Sequence, residues 1–339
     1  MLGDGTPPCG NIPAVTLRGG IDLGGTKVQA VVVDEAHAVR GEARQATPVQ
    51  GGPEDVVDAM VAAVGEAAAA AGTAPGALAG VGVGSPGTVD AKTGSVHAAM
   101  NLPGWSGEFA LGPALSQRLG VETVRLGNDV SVATAAEARL GAGAPYGSLI
   151  GVFWGTGVGG GLVLDGRAWH GRGGAGELGH TVVHRDGAHC PCGRRGCVEA
   201  YAGRGAMEAR ARKLEEEGRR TKLFAIMEQR GHTRLTSGIW ARALARDDGL
   251  AHELIDRAVA AIATGVASAQ NLLDVDAVIL GGGLGTRFGQ PMADRLAREM
   301  LPHLFRDDHP PDVKVAALGD LGGALGAALL IDEGVRRAD

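Results

Sequence analysis

At roughly 150 residues per domain, a chain of 339 residues has room for two lobes with sizeable cores, which excludes a peptide or a stapled miniprotein. Its 45% hydrophobic and 21% charged content is that of an ordinary globular protein and excludes wholesale disorder. A net charge of −6 leaves no global basic field to hold nucleic acid or an anionic membrane, so any phosphate site must be local. Glycine is the outlier: 58 residues, against a usual ~7%, sit in discrete clusters between apolar runs with no G-X-Y period. Turns that approach a ligand closely are the expected reason.

Residues 1–15, rich in Gly and Pro, read as a disordered leader. Asp4 and prolines stand where a secretory signal needs a basic start and an apolar core, so a cytoplasmic location is expected. Leu17–Leu23 and Val28–Val33 flank G-G-T-K at 24–27 and predict strand, glycine turn, strand. Residues 54–71 predict an Ala-rich amphipathic helix, Leu78–Val83 and Val121–Leu126 predict buried strands, and a second Ala-rich helix is expected from about Ser131 to Leu140. This alternation makes residues 16–143 an α/β lobe.

A second lobe, 144–321, is expected to open with the strand Ser148–Trp154, a glycine turn G-T-G-V-G-G-G at 155–161 and the strand Leu162–Leu164, repeating the first arrangement. The stretch 149–164 carries no charge, but glycines and Thr156 interrupt it, and no segment is expected to span a membrane. Residues 204–222, dense in both signs of charge, predict a solvated helix to which no function is assigned. Helix 251–272, strand Ala277–Leu280, glycines 281–283 and a further helix follow. A C-terminal helix, apolar over 322–332, is expected to complete the first lobe through residue 339.

Gly82–Gly87 and Gly155–Gly160 formally match G-x-G-x-x-G, yet Pro86 interrupts the first and an apolar strand follows the second. A dinucleotide site needs a helix there, and no G-x-x-x-x-G-K-[ST] occurs either. Glycine hairpins opening two separate lobes read better as paired phosphate clamps, whose backbone N–H groups form anion nests. Asp22, Thr26 and Lys27 would add contacts to Mg²⁺-bound water and to phosphate. Among the four cysteines, Cys9 stands alone while Cys190, Cys192 and Cys197 crowd together in a ligand pattern suited to a closed tetrahedral zinc site. Spacing leaves the fourth ligand open among His180, His184 and His189. With four protein ligands the metal would be structural and would not activate water.

The segment D-L-G-G-T-K at 22–27 resembles the first phosphate motif of the ROK family of sugar kinases and sugar-responsive repressors, within the actin-like ATPase superfamily. N-L-P-G-W at 101–105, N-D at 128–129, G-T-G-V-G-G-G at 155–161, G-E-L-G-H at 176–180 and C-P-C-G-R-R-G-C-V-E-A-Y-A at 190–202 continue the resemblance in order, from about residue 16 to 332. It implies an α/β, two-lobe actin-like ATPase (ribonuclease H-like) fold with an interlobe cleft, and ATP- and Mg²⁺-dependent phosphorylation of a hexose, glucose foremost, at its 6-hydroxyl. Other hexoses and a non-catalytic sugar-sensing regulator are the alternatives.

By the same resemblance Asp129 is the catalytic base, and Asn101, Asn128, Asp129, Glu177, His180 and Glu199 bind the sugar. Gly24, Gly25, Thr26, Lys27, Gly155, Thr156 and Gly157 hold the phosphates with Asp22, while Gly281, Gly282, Gly283 and Leu284 lie near the adenosine. The resemblance selects His180 as the fourth zinc ligand and implies a homodimer. Without it, the N-D pair reads as a helix cap, with Asp129 capping a helix from Ser131, and Trp105 reads equally as sugar platform or core. Val130-Ser131 and Gly203-Arg204 depart from the family pattern, the latter replacing a common Ser-Gly. The 21 residues before Asp22 are too few for the repressors' DNA-reading head, so no nucleic-acid partner is expected.

Overall fold

The computed structural model describes residues 16–99 and 101–335; the expected leader, Met100 and the tail beyond Val335 lie outside the described residues. Strands β1 (Arg18–Leu23), β2 (Lys27–Val33) and β3 (Val39–Ala46) form an antiparallel meander. Helix α1 (Pro53–Ala70) leads to β4 (Val81–Ser85), then to a small sheet of β5 (Thr88–Asp90), β6 (Ser95–His97) and β7 (Glu108–Phe109). After α2 (Leu111–Leu119), β8 (Val124–Asn128) runs straight into α3 (Asp129–Leu140). The sheet order is β3-β2-β1-β4-β8, with β1, β4 and β8 parallel.

The same plan recurs. Strands β9 (Leu149–Trp154), β10 (Val158–Leu164) and β11 (Arg167–Ala168) form the second meander. Helices α4 (Glu199–Ala202), α5 (Arg204–Glu216), α6 (Leu223–Gln229), α7 (Ser237–Leu244) and the long α8 (Gly249–Leu273) follow. Strand β12 (Ala277–Gly281), helices α9 (Gly282–Phe288) and α10 (Gln290–Met300), strand β13 (Asp312–Val315) and helix α11 (Gly322–Val335) end the described chain. This sheet runs β11-β10-β9-β12-β13, with β9, β12 and β13 parallel, so order and strand directions match the first sheet position by position.

Strands β2 and β12, inside the two five-stranded sheets, are buried on both faces, which is why β12 reads as an unbroken apolar run and β2 as one broken only by Gln29 after its first residue. The glycine excess has a packing cause as well as a ligand one. A Cβ on Gly82 of β4 would overlap the Ala327 carbonyl of α11, so the helix lies directly on strand backbone. Likewise a Cβ on Gly161 of β10 would run into the Thr134 side chain of α3. Helix α3 therefore packs on α11 on one side and on the second sheet on the other.

Some sequence expectations require correction. The glycines at 155–161 are not one turn: the turn is Gly155–Gly157, and β10 already begins at Val158 because Gly159–Gly161 form its pairing face with β9. Strand β4 starts at Val81, with Leu78 closing a short helical turn before it. The charged helix expected over 204–222 ends at Glu216 and is not simply solvated, since Met207, Ala211 and Leu214 are buried. Trp105 is 2% exposed, donates its indole N–H to the Val96 carbonyl at 3.3 Å and meets Phe109 edge-on, so it belongs to the core and is no sugar platform.

Candidate active site

The site begins where parallel strands end, the place an open α/β sheet offers to ligands. Pairing sets Asp22 of β1 opposite Gly84 of β4, and Gly84 opposite Gly127 of β8, on one rung of the sheet. Asn128 and Asp129 follow immediately, and a Cβ on Gly84 would run into the Val132 side chain and lie 3.4 Å from the Asp129 Cα, so the start of α3 rests directly on the β4 backbone. Asn128 is the N-cap of α3: its Oδ1 accepts the N–H groups of Val130 and Ser131, both at 3.1 Å. The cap is thus Asn128 rather than Asp129, whose carboxylate takes the Val130 N–H at 2.9 Å and also draws on its own backbone N–H and on the Asn128 side chain. Of Asn128, the amide nitrogen is left to donate, and it is turned to the Asp129 carboxylate.

The two carboxylates are electrostatically strained. Burial pushes Asp22 up to about 6; the charge of Asp129 adds to this, and Lys27 opposes it. Asp129 is also raised, first by burial and then, against its backbone hydrogen bonds, by the charge of Glu177. The charge of Asp129 thus bears on Asp22 and that of Glu177 on Asp129, with Lys27 opposing at Asp22, an arrangement that a divalent ion at Asp22 would relieve. Lys27 Nζ lies 3.4 Å from Asp320, a carboxylate that also binds Arg44 at 2.9 Å and that no sequence signal had singled out. Asn101 is exposed, with its backbone against Gly25 in the first glycine turn.

Glu177 is exposed, and its carboxylate lies 3.9 Å from His180 Nε2. The other ring nitrogen, Nδ1, is 3.7 Å from Cys190 Sγ, while the Cys192 and Cys197 sulfurs are 3.8 Å apart. The four ligand atoms of His180, Cys190, Cys192 and Cys197 lie within 4.8 Å of one another. A zinc tetrahedron with Zn–S of ~2.3 Å and Zn–N of ~2.0 Å has edges of about 3.8 and 3.6 Å, so the residues fit that ion. The other candidates are engaged elsewhere: His184 Nδ1 faces the Arg185 carbonyl at 3.0 Å and His189 Nε2 faces Arg195 at 2.5 Å. Burial pushes the Cys190 thiol up to about 12, whereas at Cys192 the hydrogen bonds from Arg194 outweigh burial and bring it to about 6. A bound cation would let all three sulfurs ionise together.

Glu199 begins α4 two residues after Cys197, and its Oε2 accepts the Val158 N–H at 2.9 Å. Gly157 makes room for that carboxylate, since a Cβ there would strike it. One residue therefore ties the cysteine loop to the second glycine turn. Across that turn, a Cβ on Gly155 would sit 3.8 Å from the Gly283 backbone nitrogen, so Gly155–Gly157 and Gly281–Gly283 adjoin. Gly282 has φ of 77° and lies against the Trp154 backbone, which excludes other residues. Leu284 is fully buried in the core, so its side chain is not available to a ligand.

Duplicated five-stranded sheets, carboxylates at the strand ends and facing glycine turns define a two-lobe α/β protein of the actin-like ATPase fold. The ROK family model matches residues 18–333, and the chain belongs to the ROK family. It is 32% identical over 320 residues to a glucokinase of Thermotoga maritima, covering 93% of this chain and 96% of that protein. An N-acetyl-D-glucosamine kinase of Escherichia fergusonii is also 32% identical, over 325 residues, 92% of this chain and 98% of the relative. The crystal structure of a ROK family glucokinase from Streptomyces griseus in complex with glucose and AMPPNP superposes with a TM-score of 0.77 at 32% identity, covering 94% of this chain and all of that one. The chain is a sugar kinase, a phosphotransferase. Among the described residues, no helix is long and apolar enough to cross a membrane.

Proposed function

We propose that this protein transfers the γ-phosphoryl group of ATP, with Mg²⁺, to the 6-hydroxyl of a hexose, glucose foremost, in the cytoplasm. The observation that carries the reading is the carboxylate of Asp129 at the start of α3, free of the capping duty that Asn128 performs and raised by burial beside Glu177. Such a carboxylate orients a sugar hydroxyl and accepts its proton as the oxygen attacks. Asn101, the Asn128 amide, Glu177, His180 and Glu199 would bind the remaining hydroxyls, with direction-specific hydrogen bonds rejecting analogues. The glucokinase relative and the glucose- and AMPPNP-bound structure support glucose and ATP, while the N-acetylglucosamine kinase relative supports the second reading, a 2-acetamido hexose.

Asp22 would hold Mg²⁺ through water, and the ion would neutralise charge on the donor phosphates. Gly24–Lys27 and Gly155–Gly157 would cradle those phosphates, and Gly281–Gly283, with the backbone of Leu284, would border the adenosine. Zinc on His180, Cys190, Cys192 and Cys197 would fix the loop that presents Glu177 and Glu199. The lobes, 16–143 with 322–339 and 144–321, would close over the bound sugar and exclude water. The resemblance to the family supports a homodimer, for which the exposed Leu272 and Phe305, on segments joined through Asn271, would offer an apolar face. An ADP-release assay over a hexose panel tests the reading: turnover with glucose is expected, turnover with N-acetylglucosamine alone selects the second reading, and none with any sugar on folded, zinc-loaded protein refutes both.

A further inference from the structure

Arg204, the first residue of α5, is partly buried beside the second glycine turn. Its guanidinium donates to the Thr156 hydroxyl at 2.8 Å and to the Ser237 hydroxyl at 3.3 Å. Ser237 in turn adjoins Gly283, 3.1 Å from where a Cβ on that glycine would lie, so Arg204 spans the junction between the Gly155–Gly157 turn and the Gly281–Gly283 turn. The backbone completes the anchoring, with the Arg204 N–H on the Gly155 carbonyl and the Gly205 N–H on the Thr156 carbonyl, both at 3.2 Å.

This cation has no anion. Among the described residues no carboxylate forms an ion pair with Arg204, and its two acceptors are neutral hydroxyls. The neighbouring acid, Glu208, is already committed: it takes Arg212 at 2.7 Å, the Leu235 N–H at 2.9 Å and lies 3.9 Å from Arg234. Arg234 itself stands on the same side, with a guanidinium nitrogen 3.7 Å from where a Cβ of Gly205 would lie. Burial and the charge of Arg234 both lower the Arg204 pKa, against the attraction of Glu208. A half-desolvated guanidinium pressed by a second one is costly unless an anion arrives to pair with it. A planar fork with its donors aimed along a glycine turn suits phosphate oxygens.

We propose that Arg204 is a ligand of the donor's linked phosphates, contacting them beside Thr156 and setting the affinity of this chain for ATP over unphosphorylated nucleoside. The inference rests on the kinase reading of the same cleft and deepens it with a residue at which this sequence departs from the family pattern. The rival role is purely mechanical: Arg204 pins the Thr156 turn to Ser237 and touches no ligand.

The two roles separate on ligands that share adenosine and differ in phosphate. Calorimetry on the zinc-loaded protein compares wild type with Arg204→Gln and Arg204→Lys for adenosine, ADP and ATP, with inorganic triphosphate as a competitor that carries phosphate alone. Loss of a charge-assisted hydrogen bond should weaken ADP and ATP about 10- to 100-fold, leave adenosine within about twofold and abolish competition by triphosphate, with Lys retaining part of the affinity. The KM for sugar should stay unchanged. Equal weakening of adenosine, ADP and ATP would show a pinned turn and overturn the proposal, as would no change in any of them. Should the Gln variant fail to fold, Lys against wild type decides by the same comparison. A protein that binds ATP in this Arg204-dependent way yet phosphorylates no sugar would sink the kinase reading and leave the phosphate site standing.

Discussion

Replacing Asp22 by Asn should stabilise the ligand-free protein while destroying its activity. Asp22 is raised from its ordinary 3.8 to about 6 by burial and by Asp129, so the folded chain holds a proton there more tightly than the unfolded chain does. Stability contributed by this group therefore falls as pH rises between about 4 and 6 and stays low above that. At about 1.4 kcal/mol per tenfold change in proton affinity, the ionised carboxylate costs up to about 3 kcal/mol at pH 8 and about 1 kcal/mol at pH 4.5. Solvent screening of a partly exposed group trims both figures. Asp22→Asn removes the charge, so its advantage over wild type should grow from about 1 to about 2–3 kcal/mol between those pH values. Urea unfolding at each pH, read as a change in midpoint at constant m, measures this. Added Mg²⁺ should narrow the gap at pH 8 by stabilising only the carboxylate form. An advantage of the same size at both pH values, or a destabilised variant at pH 8, would show that Asp22 carries no electrostatic burden and would undo its role as the cation's seat.

Asp129→Asn should lower kcat by ~10³- to 10⁴-fold with glucose binding retained, as read by steady-state kinetics beside calorimetry; retention of kcat within a few-fold would move the base elsewhere. Because the folded Asp129 is raised, the acid limb of the wild-type kcat profile should fall at a pH above the usual carboxylate range, and a limb near pH 3.8 would contradict that. Asn128→Ala should cost about 1 kcal/mol through the lost cap, whereas Asn128→Asp should leave thermal stability nearly unchanged and impair sugar binding, since it keeps the accepting oxygen and loses the amide donor. Cys192→Ser should release about one zinc per chain, measured by metal analysis, and raise the KM for sugar through a misplaced Glu177 and Glu199; full zinc content in that variant would remove Cys192 from the ligand set.

Strands buried on both faces were legible as apolar runs, and so were the long helices, because their patterns exceed the length of any loop. Strand β3 was missed for a physical reason: its sequence VRGEARQA places Arg40, Glu42 and Arg44 on an exposed face, which hides an edge strand among polar residues. Helix α2 carries Gly112 and Pro113 in its first turn, where both are tolerated, yet they read as breakers. At the site, the cysteine cluster was plain from composition, while the choice of His180 over its neighbours needed either the resemblance or the coordinates. The division of labour between Asn128 and Asp129 was invisible, because either residue caps a helix equally well by sequence. Arg204 was visible only as a departure, since its significance depends on Glu208 being occupied by other partners, which is a tertiary fact.

The glycine bed under α3 bears on how the halves of the molecule can move. Ordinary helix packing locks an angle by seating ridges of side chains in grooves. Beneath α3, Gly159 faces Val130, and Gly151 and Gly161 face Thr134, with bare backbone in place of ridges. In the closure proposed above, the helix that bears Asp129 would roll on a smooth surface, meeting little resistance from interlocked side chains. A methyl group at any of these glycines would then act as a brake as well as a wedge, and the freedom to turn would be lost before the fold was.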